Sequence, residues 1–323
     1  MIMPDKEKKE CFRTMIGGQA LIEGILMRGP EKQAVVVRDK DGQLVEKVEE
    51  LHLIKERHPV LGWPFIRGVV NFLDSLVKGM QALMYSADFY PDDGEPEEPS
   101  KFEKWLEKTF GSKKLESFVI TFAVFLGILV SLVLFVILPT LLGTAVTFVT
   151  DSMLVRNVAE GVLRVVILLV YMIVCSKTKD IKRVFQYHGA EHKTIFCYER
   201  GLDLTVDNVR DMPRHHPRCG TSFLFVVVIV SIIVCSIVFS LFQVHTVPLR
   251  ILYHLLLLPV IVGITYEFNR YAGGHDNPLT NVLVKPGLWM QNFTTFEPDD
   301  SMMECAIAAM KLVIPEKKGQ DKW

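Results

Sequence analysis

Two histidines lie four residues apart in Tyr187-His188-Gly189-Ala190-Glu191-His192-Lys193, and a carboxylate stands beside the second. On a helix, positions four apart share a face, one turn above the other. Two imidazoles so placed can grip one divalent cation. Glu191, one residue away, can take a proton from a water that the cation activates. The order His-x-x-Glu-His is the reversed zinc-peptidase pattern, with two histidine ligands and a glutamate base. No helix breaker precedes Gly189 in Ile181-Lys182-Arg183-Val184-Phe185-Gln186-Tyr187-His188.

A catalytic zinc usually has three protein ligands and one open position. Four residues compete for the third place. Glu267 ranks first, because an acid at the edge of an apolar helix is costly unless it has a role or a partner. His216 and Cys219 follow, in His215-His216-Pro217-Arg218-Cys219-Gly220, and Glu199 is the fourth. Each has an ordinary alternative. Glu267 can pair with an arginine, His216 can turn the chain before its proline, and Cys219 can simply pack.

Other polar groups are candidates for holding a substrate. Gly17-Gly18-Gln19-Ala20-Leu21-Ile22-Glu23-Gly24 and Met27-Arg28-Gly29-Pro30 are rich in glycine, which lets backbone pass close to a neighbour. The stretch reads either as a turn-rich lead into strands or as a loop presenting Gln19, Glu23 or Arg28. Arg218 and Arg28 can hold an anionic or carbonyl group, or face solvent and lipid headgroups.

The elements that must position these groups are mostly apolar helices. Ser117 to Thr150 holds no charged residue, and Thr221 to Arg250 holds none before its last position. Apolar runs of about 18 residues or more read as membrane spans. Four are expected, over 118–139, 157–176, 221–242 and 250–268. The apolar tail to Val149 is assigned to the far interface, and Pro259 to a kink. Pro64 to Ala87 carries a helical apolar stripe interrupted by Arg67, Asp74 and Lys78, so it reads as an interfacial helix. Gln33–Arg38 and Gln43–Val48 alternate like strands around the turn Asp39-Lys40-Asp41-Gly42. An amphipathic helix is expected over 299–314.

Charge sets the orientation. Nine Lys or Arg lie between Lys177 and Gly220, against Arg156 alone between the first two spans. The positive-inside rule puts both termini and the 177–220 segment in the cytoplasm. A net charge of −1 argues against electrostatic binding to nucleic acid. The six cysteines form no disulfide framework by spacing.

The expected fold is therefore mainly α, a multi-span membrane protein with a small β-rich piece. Its division is a cytoplasmic β-rich segment over 1–60, an interfacial helix over 61–90 and an acidic linker over 91–112. A four-span membrane domain carrying the metal site follows over 113–272, then a cytoplasmic tail over 273–323. The expected chemistry is a metal-dependent hydrolase, peptide hydrolysis being its concrete form. Zinc is the default cation for imidazole and carboxylate ligands. The expected partners are the lipid bilayer and a peptide or small-molecule substrate. The alternative is a scaffold, assembly factor or transporter with a structural metal or polar knot.

Taken together, the segments 17–29, 187–193 and His216-Pro217-Arg218-Cys219-Gly220-Thr221-Ser222 resemble the bacterial YqhQ-like membrane proteins. The resemblance reaches Thr294-Thr295-Phe296-Glu297-Pro298 and so covers most of the chain. It implies a bacterial plasma-membrane location and metal-dependent chemistry. Phe296 departs from it, standing where a basic residue is expected.

Overall fold

Strands β1 (Gly17–Leu21), β2 (Gly24–Arg28), β3 (Lys32–Arg38) and β4 (Leu44–Glu50) form one antiparallel sheet in chain order. The computed structural model describes residues 12–51, 59–90, 112–275, 277–317 and 319–322. The acidic linker read from the sequence falls almost wholly outside them.

The sheet is larger than expected. The glycine-rich stretch 17–29 is not a loop but a hairpin, with Leu21 opposite Gly24 and Ile22-Glu23 as its two-residue turn. Glu23 takes a positive φ of 49° there, which a two-residue turn demands and a non-glycine residue tolerates at some cost. The second turn matches the reading: Gly42 has φ 80° and Arg38 stands opposite Leu44.

Alternation along the strands gives the sheet two apolar faces. Leu21, Leu26, Val35 and Val37 face Ala82 of α1 (Ile66–Ala87). Ile25, Met27, Ala34 and Val36 face α5 (Lys179–Glu199) and α10 (Asp300–Val313), through Tyr187, Ala190, Met302, Met303, Cys305 and Ala306. Helix α10 is capped by Asp299, whose carboxylate accepts the Met302 N–H at 3.0 Å. The helix read as an amphipathic tail is thus a core element beneath the sheet.

The remaining helices are α2 (Ser112–Leu132), α3 (Leu138–Gly143), α4 (Met153–Cys175), α6 (Val206–Arg210), α7 (Gly220–Leu241), α8 (Val247–Gly274) and α9 (Pro278–Met290). Among the described residues, four helices are long and apolar enough to cross a membrane: Phe118–Phe148, Met153–Cys175, Leu224–Leu241 and Val247–Gly274. The tail after Pro139 does not separate from the first of these. A π-turn at Val133–Ile137 precedes α3, and Pro139 sits in its first turn, where a missing N–H costs little.

The chain packs as two units. One joins Met1–Tyr90, Leu169–Ser231 and Leu258–Trp323. The other joins Pro91–Leu168 and Ile232–Leu257. The N-terminal sheet and the C-terminal helix share one core.

Candidate metal centre

Helix α5 starts after the turn that ends α4, with Asp180 in its first turn complementing the helix dipole. It presents His188 and His192 on one face, their ring centroids 4.4 Å apart. The helix sits close to the 294–298 segment because residue 189 is glycine. A Cβ there would lie 2.1 Å from the Phe296 carbonyl oxygen.

The third group is Cys219, at the mouth of α7. Its sulfur lies 3.1 Å from His188 Nε2. The N–H and hydroxyl of Thr221 donate to it at 3.5 and 3.4 Å. One ligand atom each from His188, His192 and Cys219 lie within 4.8 Å of one another. Gln291 holds the Cys219 segment in place. Its Oε1 accepts the His216 N–H at 2.8 Å, and its Nε2 donates to the His216 carbonyl at 2.8 Å.

Both imidazoles are turned the same way. His188 Nδ1 lies 2.8 Å from the Thr294 carbonyl oxygen, and His192 Nδ1 lies 2.6 Å from that of Arg214. A carbonyl only accepts, so each Nδ1 must carry the proton. Each neutral ring then has its lone pair on Nε2, facing the cluster. This carbonyl-backed arrangement is the usual support for metal-binding histidines. The Nε2 of His192 is buried with no hydrogen-bond partner.

Glu191 completes the group. Its Oε1 accepts the Gly18 N–H at 3.0 Å, and its Oε2 is buried without a partner. Gly18 is required for this approach, since a Cβ there would lie 3.1 Å from the Glu191 carboxyl carbon and 2.6 Å from the Leu26 carbonyl oxygen. Burial pushes the Glu191 carboxyl above its ordinary range, partly opposed by the two imidazoles. Burial works against a charged His188, but the Cys219 sulfur outweighs it and lifts the imidazole to about 9. Burial likewise opposes the Cys219 thiolate, yet His188 and His192 hold the thiol well below its usual value. The two shifts favour passing the Cys219 proton toward His188, and a bound cation would take that proton's place.

A cavity of about 400 Å³ opens on the cluster, lined by His188, Glu191, His192 and Cys219 together with Gly18, Ala20, Phe185 and Ile195. The donor set fits a cation: two imidazoles and a thiolate converge, each has its outer support, and a carboxylate and a cavity lie alongside.

Residues 63–316 match the family model described as Protein of unknown function (DUF1385). The chain belongs to the DUF1385 family. It is 33% identical over 296 residues to the Uncharacterized protein YqhQ of Bacillus subtilis (strain 168), covering 90% of this chain and 89% of that one. No solved structure matches it. The YqhQ-like resemblance read from the motifs is thereby shown, and it brings no activity with it.

Several sequence candidates of this DUF1385 protein lie elsewhere. Glu267, the first choice for third ligand, is bound by Arg67, whose Nε donates to Oε1 at 2.7 Å and whose Nη2 donates to Oε2. Its edge position is explained by that ion pair. His216 is buried, but its Nε2 faces Glu199 at 3.6 Å rather than the cluster. Glu199 in turn accepts from Arg218 and, at 2.8 Å, from the Thr14 N–H. Burial favours the neutral form of Glu199, yet His216 and Arg218 hold its carboxyl below the ordinary value. Neither is positioned to be a ligand.

Of the substrate candidates, Arg218 lines the cavity and Gln19 does so beside Gly79. Glu23 does not line it, because its carboxylate takes Arg183 and, at 3.1 Å, the Tyr187 hydroxyl. Arg28 pairs with Asp74 at 2.7 Å, away from the cavity lining. Phe296 makes the Phe185 carbonyl contact through its N–H at 2.9 Å and brings its ring 6.1 Å from that of Phe185, so packing explains it.

Sequence reasoning missed Gln291 and the carbonyls of Thr294 and Arg214. Backbone oxygens carry no residue-type signal. Only the resemblance in 294–298 pointed to that segment, without a role.

Proposed function

We propose that this protein is an integral membrane, metal-dependent hydrolase with its active site at the cytoplasmic face. The convergence of His188, His192 and Cys219, with both Nδ1 atoms backed by carbonyls, carries the reading. These three residues would hold the cation. Zinc suits two imidazoles and a thiolate. When bound it would act as a Lewis acid on a carbonyl and lower the pKa of water. Glu191 is the general base, with Oε1 fixed by Gly18 and Oε2 free to take the proton of an attacking water. Peptide bonds are the concrete substrate, in keeping with the His-x-x-Glu-His order.

The membrane part rests on the four apolar helices. Helix α5 follows α4 within a few residues, and Cys219 directly precedes α7. The site therefore lies at chain positions bordered by the nine Lys and Arg of 177–220, the cytoplasmic side by the positive-inside rule.

One distance favours a second reading. Cys219 Sγ at 3.1 Å from His188 Nε2, with Nδ1 held by Thr294, is also the layout of a nucleophilic thiol and its oriented base. The test is elemental analysis of the purified protein with chelation and thiol alkylation in parallel. One zinc per chain, and turnover of a casein-derived peptide pool abolished by chelator and restored by zinc, supports the metal reading. Turnover that ignores chelator but is lost on alkylation of Cys219 would replace it with the thiol reading.

A further inference from the structure

The cavity has an unusual wall. Strand β1 is the edge of its sheet, hydrogen-bonded on one side to β2 only. In the two-residue hairpin, Leu21 and Gly24 form the pair that exchanges hydrogen bonds. Alternation then makes Gln19 with Leu26 a bonded pair, and leaves Gly18 and Ala20 pointing their N–H and C=O groups away from β2. The Gly18 N–H confirms this, because it donates outward to Glu191 at 3.0 Å. The backbone of the next outward residue, Ala20, repeats that direction one strand period along.

Among the described residues, no further strand covers this edge. Residues 14–20 line the cavity, and so do Val184, His188, Glu191 and Ile195 of α5. The catalytic base is thus moored to the same strand edge that borders the cavity. An edge strand with outward polar groups is a template for another strand. Apolar side chains of Met15, Ile16 and Phe185 border the same space.

We infer that the edge of β1 docks an extended peptide as an added strand, through the outward N–H and C=O of Ala20 and the C=O of Gly18, whose N–H stays with Glu191, and so delivers a peptide carbonyl to the His188–His192–Cys219 cluster. The inference rests on the hydrolase reading for what happens next, but the docking does not. A peptide so bound repeats every two residues, one amide toward β1 and the next away from it. Small polar metabolites would not need such an edge. The substrate class is therefore an unfolded or extended segment with apolar side chains.

The experiment uses the full-length Glu191→Gln protein in detergent micelles, which binds without turnover. The probe is a fluorescein-labelled, capped octapeptide of alternating Ala and Leu, read by fluorescence anisotropy. A series carries one backbone N-methyl group at successive positions. Loss of a buried backbone hydrogen bond should weaken binding roughly tenfold. The expected result is a period-two pattern, weak binding at every other methylated position and unchanged binding between. Ala20→Pro, which removes an edge N–H at a position where proline is tolerated, should weaken the unmethylated peptide similarly. Equal binding across the methylated series, or no binding of any member, overturns the docking edge, whether or not Ala20→Pro folds. Metal content measured on the same sample separates the two claims. A period-two pattern on a metal-free protein keeps the docking edge and removes the hydrolase reading.

Discussion

Among its described residues, the protein brings cysteine and histidine within hydrogen-bond distance twice. In the first unit Cys219 Sγ lies 3.1 Å from His188 Nε2. In the second, Cys235 Sγ lies 3.1 Å from His254 Nδ1. The pair distance is the same and the surroundings are opposite. His254 turns its other nitrogen to Arg164 at 2.5 Å, within a network of Glu160, Arg156 and Arg250. Arg250 is fully buried there, and its guanidinium lies 3.0 Å from Glu160 and also donates to Asn157. Cations crowd that histidine, so a metal ion would meet repulsion. His188 instead has a second imidazole for a neighbour, backbone carbonyls behind both rings, and a cavity in front. A short Cys–His distance is therefore not what marks a metal site. What marks it is convergence of ligand atoms from three residues beside a cavity, with backbone carbonyls behind both rings.

The largest effect that could break this contrast comes from the ligands. His188→Ala, His192→Ala or Cys219→Ser should empty the site, lowering zinc affinity by more than about 100-fold, beyond the loss that outer partners bring. Cys235→Ser should leave zinc content unchanged by elemental analysis. If both cysteines contributed equally, the comparison fails. Next comes Glu191→Gln, which should keep its zinc and lose about 10²- to 10⁴-fold in peptide turnover, the range of a general base. Normal turnover in that variant would remove Glu191 from the chemistry.

A third variant sharpens the other side. Glu160 is the one buried carboxylate among the described residues of the second unit, facing Arg156 and Arg250. Glu160→Gln should cost roughly 3–5 kcal/mol, because it strands buried charge. Thermal unfolding in detergent reads this, and the folded fraction should still carry zinc. The smallest effect is expected at Glu267. Its pair with Arg67 is partly solvated, at 22% and 27% side-chain exposure, so Glu267→Ala should cost at most about 1 kcal/mol and leave zinc in place. Loss of zinc there would restore the sequence's first choice of ligand.

Much of the fold was legible where periodicity was strong. The four apolar helices, the 66–87 stripe and the Gly42 hairpin follow from patterns that one segment carries by itself. The β1–β2 hairpin was not, because Gly17 and Gly18 weaken strand propensity and their purpose is remote: Gly18 is small so that Glu191 can reach its N–H. Among site residues, the His188–Glu191–His192 trio was readable from local spacing. The choice among Glu267, His216 and Cys219 was not. All three had the right chemistry, and only the partners decided. Arg67 takes Glu267 from 200 residues away, and Glu199 takes His216. Long-range pairing of this kind leaves no trace in local sequence, nor do the carbonyls of Thr294 and Arg214.

The central claim is that Cys219 and the two histidines hold one cation. Cobalt substitution tests it most directly. The full-length protein loaded with Co²⁺ should show a thiolate-to-cobalt charge-transfer band at one metal per chain. That band should vanish in Cys219→Ser and persist in Cys235→Ser and Glu267→Ala. Absence of bound cobalt, or a band that survives Cys219→Ser, would contradict the account.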